Sequence, residues 1–125
     1  MSCFWDGIGN FITRKEFKKR GLKKNPTPDR LIQFFKNNNM VVTKVKWNDT
    51  YLTELQQKEN YDHVRTCKKQ DGYLCSSCDP FLFLICELFE ISIVHKYNSN
   101  LITYTFDGKS KKTIHVQSNS THFWV

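Results

Sequence analysis

The segment from Asp79 to Tyr97 constrains the fold of this chain most, because it contains the longest apolar run in the sequence. Asp79 can cap a helix N-terminus, and Pro80 suits the first helical position, where its missing N–H would have no partner anyway. The next residues are apolar on nearly every side of a helix, which is typical of a buried helix. After Glu90 the residues become β-branched and favour a strand. The segment therefore predicts a core helix that runs directly into a core strand.

Apolar spacing and turn residues predict three more helices before this segment. They cover about residues 4–19 with Gly21 as the stop, a segment from Pro28 to the Asn37-Asn38-Asn39 run with Thr27 as the cap, and Tyr51–Val64. Alternating residues predict five strands, at Val41–Trp47, Ile91–Tyr97, Leu101–Phe106, Lys112–Gln117 and Thr121–Val125. Asn98-Ser99-Asn100 predicts a hairpin turn between the second and the third of them. Because most helices precede most strands, we expect a single α+β domain over residues 1–125. Its N-terminal helices would pack on a small C-terminal, mostly antiparallel sheet.

The net charge of +7 is unevenly distributed, since residues 14–24 alone carry a net charge of +6. This cluster includes Arg14, Lys15, Lys18, Lys19, Arg20, Lys23 and Lys24. One interpretation is a surface that binds nucleic acid or an acidic partner. The other is a solvated helix end that only keeps the protein in solution, because Phe17 is the one aromatic residue among the charges. The sequence leaves both interpretations open.

The five cysteines and the N-terminal residues indicate a compartment. Five is an odd number, and Met1–Asp6 lacks the basic region and apolar stretch of a secretory signal. We therefore expect reduced thiols and a cytoplasmic protein. No apolar stretch approaches the roughly 18 residues of a membrane span, so no membrane partner is expected.

Cys3 and His122 form the first candidate site. Cys3 begins the first predicted helix, where free backbone N–H groups favour a thiolate. His122 begins the last predicted strand, and an imidazole beside the thiol could accept its proton and later protonate a leaving group. A cysteine near the N-terminus and a distant histidine occur in this order in papain-like enzymes.

Several segments resemble the ovarian-tumour (OTU) family of cysteine proteases. Cys3-Phe4-Trp5-Asp6-Gly7-Ile8 is similar to the helix start that bears the family's cysteine, and Asp79–Tyr97 is similar to its buried helix and strand. The closing segments of the family are matched by Ile102-Thr103-Tyr104, Thr113-Ile114-His115-Val116 and Ser120-Thr121-His122-Phe123-Trp124-Val125. The resemblance covers most of the chain in order. The excess of Asn and Lys over Ala is typical of an A/T-rich genome and fits a small viral member.

The resemblance implies a papain-like fold and a thiol protease that cleaves ubiquitin or ubiquitin-like conjugates, or a viral precursor. Cys3 would be the nucleophile and His122 the general base. The family often has Asp or Asn two residues after its histidine, where this chain has Trp124, so Asn119 is the candidate for orienting His122. A catalytically inactive OTU-like protein with a binding or structural role remains the alternative. The resemblance implies no cofactor.

A second set of residues has the donor types of a structural zinc site. His63, Cys67, Cys75 and Cys78 combine a histidine and a cysteine four residues apart with a Cys-x2-Cys pair. The spacing is not that of a standard zinc finger, so unpaired loop and core cysteines remain the alternative. His95 and His115 fall in predicted strands and are interpreted as ordinary strand residues, with His95 packed beside Tyr97.

Overall fold

The fold consists of five helices and a six-stranded sheet in the part of the chain that the computed structural model describes, residues 3–12, 14–19, 21–22, 26–68 and 73–125. The helices are α1 (Cys3–Phe11), α2 (Arg14–Lys19), α3 (Pro28–Asn37), α4 (Glu54–Thr66) and α5 (Pro80–Phe89). The strands are β1 (Val45–Trp47), β2 (Thr50–Tyr51), β3 (Ser92–Tyr97), β4 (Asn100–Phe106), β5 (Thr113–Ser118) and β6 (Phe123–Trp124). The α+β class expected from the sequence is confirmed.

The single helix predicted over residues 4–19 is wrong, because the structure has two shorter helices there. Ile8 in α1 and Ile12 directly after it are both buried, and the Ile12 N–H donates a hydrogen bond to the Ile8 carbonyl. Phe17 lies five residues after Ile12, and a continuous helix turns by about 140° over that step, which would point Phe17 away from these two side chains. With the helix divided, Phe17 is buried edge-on against Phe34 and Phe89. Gly21 follows α2 with a left-handed φ of 87°.

Side-chain caps begin α3 and α4. Thr27 accepts a hydrogen bond from the Arg30 amide at the start of α3, as predicted. Thr53 and Gln56 form a reciprocal capping box at the start of α4. Helix α4 therefore begins later than the Tyr51 predicted from the sequence, and Tyr51 belongs to β2.

Helix α5 is the centre of the core, as the sequence predicts. The Asp79 Oδ1 atom accepts hydrogen bonds from the amides of Phe81 at 2.9 Å and Leu82 at 3.3 Å. Every residue from Pro80 to Phe89 is buried. Each large apolar side chain buried in this way contributes about 1.5–3 kcal/mol to the free energy of unfolding. The helix ends at Glu90, whose φ of 55° is left-handed.

The acidic residue inside α5, Glu87, explains why the first predicted strand is too long. The Glu87 Oε1 atom accepts hydrogen bonds from the amides of Thr43 at 2.9 Å and Lys44 at 2.7 Å. These two amides therefore have a side-chain acceptor and need no neighbouring strand. The strand predicted over Val41–Trp47 is confirmed only for Val45–Trp47.

The sheet has the strand order β2-β1-β4-β3-β5-β6. Strands β3 and β4 form the predicted hairpin, and all neighbouring strands are antiparallel except β3 and β5, which are parallel. The mostly antiparallel sheet is thus confirmed. It is not wholly C-terminal, however, because the β1–β2 hairpin comes from the middle of the chain and completes the free edge of β4.

The helices pack against the sheet, with α5 against β1, β3 and β4, and α1 against β6. Side chains alternate along the strands, so that Ile93, His95, Ile102 and Tyr104 are buried. Within the described residues, no helix has the length and apolar character needed to cross a membrane.

Candidate functional site

A cleft of about 80 Å³ lies between the start of α1 and the turn before β6. Its lining includes Cys3 and Phe4 from α1, Asn119, Thr121 and His122 from the turn, and the loop before α5. Cys3 is half-buried and His122 is exposed. The fold thus brings all three predicted site residues, Cys3, His122 and Asn119, to one cleft, although Cys3 is far from the other two in sequence.

Close packing of α1 on β6 holds the two sides of this cleft together. The rings of Phe4 and Phe123 lie 4.9 Å apart between centroids. Gly7 faces the same ring, since a Cβ atom at position 7 would lie 2.6 Å from Phe123 Cε1 and 2.7 Å from Cδ1. Only a residue without a side chain allows the helix to approach the strand this closely. Gly7 therefore sets the separation between the helix that carries Cys3 and the strand that follows His122.

Replacing Gly7 with alanine is expected to lower the free energy of unfolding by about 1–2 kcal/mol, measured by urea denaturation. The added methyl group would overlap the buried Phe123 ring, at a cost that exceeds the gain in helix propensity. Gly9→Ala is the matched control in the same helix, because a Cβ atom there meets nothing within 4 Å. It should stabilise the protein by about 0.5–1 kcal/mol. Equal effects of the two substitutions would contradict this role of Gly7.

The side chain and the backbone of Asn119 both form hydrogen bonds with the main chain of His122. The Asn119 Oδ1 atom accepts hydrogen bonds from the His122 amide at 2.8 Å and from the Thr121 amide at 2.9 Å. The backbone N–H of Asn119 donates a hydrogen bond of 2.9 Å to the His122 carbonyl, which closes the turn. Asn119 thus fixes the backbone from which the His122 side chain projects. Its orientation of the imidazole ring itself stays a prediction.

The loop before α5 forms a wall of the cleft through Tyr73, Leu74 and Cys75. A buried carboxylate holds this loop, because Asp79 Oδ2 accepts hydrogen bonds from the Tyr73 hydroxyl at 2.8 Å and the Ser76 amide at 3.1 Å. Burial raises the pKa of the Asp79 carboxyl above its usual range, while the hydrogen bonds lower it in part. Asp79 therefore joins the core helix to the cleft.

A buried cysteine–histidine contact lies behind the cleft, and the sequence did not predict it. His95 Nε2 is 2.7 Å from Ser118 Oγ and 3.9 Å from Cys75 Sγ. His95 also packs edge-on against Tyr97, with 5.8 Å between ring centroids, as predicted. Burial raises the pKa of the Cys75 thiol and lowers the pKa of His95 to about 4. Both groups are therefore uncharged at neutral pH, and the contact is structural. The parallel pairing of β3 and β5 sets His95 opposite Val116 and so brings it within reach of Ser118, two residues further along β5. This pairing has no local sequence signal.

The predicted zinc ligands do not converge. His63 lies on α4 with its ring against Tyr73 and Phe81, Cys67 caps the end of that helix, and Cys75 contacts His95. Across the described ranges, which include all four candidates, no three His, Cys, Asp or Glu residues are placed to hold a metal ion. The hypothesis that these four residues bind zinc is therefore wrong for this structure, because Cys75 is buried in the core against His95. None of the five cysteines, all of which lie within the described ranges, forms a disulfide.

The described lysines of the basic cluster lie on α2, and neither of them lines the cleft. Lys18 and Lys19 are exposed at the end of this helix. Arg14 and Lys15 also belong to α2, but their side chains are outside the described part of the structure, and so are Arg20, Lys23 and Lys24. Asp71 and Gly72, in the middle of the polar segment Cys67–Cys78, likewise fall outside it.

Comparisons of the chain with family models, with curated proteins and with solved structures found no match. A function for the cleft must therefore be argued from its own residues.

Proposed function

We propose that the protein is a cysteine protease that attacks the peptide or isopeptide bonds of ubiquitin-like conjugates, with Cys3 as nucleophile and His122 as general base. The observation that carries this proposal is the convergence of Cys3 and His122 on one cleft. A half-buried thiol at a helix start and an accessible imidazole in the same cleft are groups suited to acyl transfer. The bond type and the substrate class come from the resemblance to the OTU family, which implies a papain-like fold.

The reaction would follow the double-displacement course of thiol proteases. His122 takes the proton of the Cys3 thiol as the sulfur attacks the substrate carbonyl carbon. The tetrahedral intermediate then collapses, and the amine leaves with the proton held by His122. A water molecule, deprotonated by His122, attacks the resulting thioester, which releases the carboxylic acid and restores the thiol.

Two features of the chain support these roles. The first amides of α1 have no acceptor within the helix, so the Cys3 N–H is available to the oxyanion of the intermediate. The Asn119 turn restrains the backbone at His122, which limits the positions its ring can sample. No hydrogen bond joins the described Cys3 thiol and His122 ring, and such contacts often tighten only when substrate binds.

Ubiquitin carrying a C-terminal electrophile is expected to modify the protein once, at Cys3, as located by peptide mass spectrometry. Cys3→Ser should abolish the adduct, because serine is a much weaker nucleophile without a stronger base. His122→Gln should slow adduct formation by about a hundredfold or more, since general base catalysis typically contributes that much.

Cys67→Ser is the matched control, because Cys67 is also half-buried and forms no disulfide but lies at the end of α4. It should leave the rate of adduct formation unchanged. Absence of an adduct with protein shown to be folded by circular dichroism would overturn the proposed function, as would equal labelling of the Cys3→Ser variant.

A further inference from the structure

The positive charge of the protein is concentrated in two short segments that are distant in sequence. Residues 14–24 carry a net charge of +6 and residues 109–112 carry +3, while the whole chain carries only +7. The remaining residues therefore have a net charge of −2. The sequence analysis identified only the first segment, because three lysines in a loop of four residues have no helical pattern.

The fold brings α2, the described part of the first segment, into contact with the second segment. The Lys112 Nζ atom donates a hydrogen bond of 2.8 Å to Glu16 Oε1, which connects the segment before β5 to α2. Lys111 forms an ion pair of 3.5 Å with Glu90. We call the surface of α2 and the segment before β5 the basic end; its described lysines are Lys18, Lys19, Lys109, Lys111 and Lys112. Glu16 and Glu90 are each paired with one of these five lysines, which leaves an excess of three positive charges over these two acids.

We propose that the basic end binds nucleic acid through the phosphate backbone, without reading the base sequence. Closely spaced lysines on one surface match the regular negative charge of a phosphodiester chain. Phe17, the aromatic residue within the first segment, is 3% exposed and cannot stack on a base. Contacts of this kind give affinity and a strong dependence on salt, with little sequence preference.

An anionic membrane is a less suitable partner for this surface. Stable attachment to a membrane usually requires apolar side chains that enter the lipid beside the basic residues. In the described parts of residues 14–24 and 109–112, no large apolar side chain is exposed. The surface therefore has the charges for a polyanion in water but lacks the apolar anchor.

The basic end and the cleft lie at opposite ends of β5. This strand runs from Thr113, next to the basic end, to Ser118, next to the Asn119 turn. Six residues of strand extend over about 20 Å. Substitutions at the basic end should therefore leave reaction at Cys3 unchanged, and the two proposals can fail separately.

Binding should be measured by fluorescence anisotropy with a labelled 20-nucleotide RNA and a labelled 20-base-pair DNA of two unrelated sequences. Lys18→Gln with Lys19→Gln on α2, and Lys109→Gln with Lys111→Gln before β5, remove two charges each. Each double variant should weaken binding by roughly tenfold near 0.1 M salt. Each should also reduce the slope of log affinity against log salt by about 2 for the duplex, since each phosphate contact contributes about 0.9. Affinity for the two sequences should agree within a few-fold.

Lys58→Gln with Lys68→Gln is the matched control, since both lysines are exposed and lie outside the basic end. This variant should bind within about twofold of the unaltered protein. If it loses as much affinity as Lys109→Gln with Lys111→Gln, the proposal is overturned and the attraction is only general charge. If the protein binds poly-glutamate, or vesicles of phosphatidylcholine and phosphatidylserine, more tightly than it binds the RNA and the DNA, the proposal is overturned in favour of an acidic protein or a membrane.

Discussion

Replacement of Asp79 with alanine is expected to lower the free energy of unfolding by about 3–5 kcal/mol, measured by urea denaturation at neutral pH. The carboxylate is fully buried and accepts hydrogen bonds from three amides and from the Tyr73 hydroxyl. Removing it uncaps α5, which costs about 1 kcal/mol, and leaves several buried donors without an acceptor. Each such donor costs a further 1–3 kcal/mol if water cannot reach it.

Two further substitutions separate the parts of this effect. Thr27→Ala removes an exposed cap from α3 and should cost only about 1 kcal/mol. Asp79→Asn keeps an acceptor for the Phe81 and Leu82 amides and removes the buried charge. Its loss in free energy of unfolding should therefore fall between those of Thr27→Ala and Asp79→Ala. A loss for Asp79→Ala no greater than that for Thr27→Ala would contradict the argument that Asp79 holds both the core helix and the cleft loop.

The elements predictable from sequence are those with local signals. The cap at Asp79, the apolar run that follows it and the hairpin turn after Tyr97 each act within a few residues, and α5 and the β3–β4 hairpin were predicted nearly to the residue. The incorrect predictions concern residues whose hydrogen-bond or packing partners lie far away in the sequence. The amides of Thr43 and Lys44 bond to a carboxylate more than forty residues away, and this contact ended the first strand early.

The candidate site shows the same division. Cys3 and His122 were identified by residue type, order and family resemblance, and the fold places both at one cleft. The zinc hypothesis used residue type and spacing alone. It failed because Cys75 packs against His95, a partner on a strand whose position depends on the whole sheet. Spacing identifies residues whose type suits a metal ion, but packing in the core determines which of them remain available as ligands.

The fold also places the candidate cleft and the basic end at opposite ends of one strand. Strand β5 connects the Asn119 turn with the segment that carries Lys109, Lys111 and Lys112. If both proposals hold, nucleic acid bound at one end would keep the cleft at the other end accessible. A protein of this design could act on conjugates near a nucleic acid, with the rigid sheet setting the distance between the two surfaces.

Acidification from pH 7 to pH 4 is expected to remove about 3 kcal/mol of stability through His95 alone. The side chain is 0% exposed, its Nδ1 atom has no hydrogen-bond partner among the described residues, and burial lowers its pKa from 6.5 to about 4. Between these two pKa values the unfolded chain binds a proton that the folded protein excludes, so stability is complete above pH 6.5 and falls as the pH drops towards 4. Urea denaturation at a series of pH values measures the loss.

His95→Gln should remove most of this pH dependence, since glutamine has no proton to gain and can still bond to Ser118. The raised pKa of Asp79 acts in the opposite direction, because the folded protein takes up that proton first as the pH falls. This contribution is present in both proteins and cancels in their difference. His115→Gln, an exposed histidine on the neighbouring strand, should keep the acid loss. If the His95→Gln profile falls as steeply as that of the unaltered protein, His95 is not the residue that limits stability in acid.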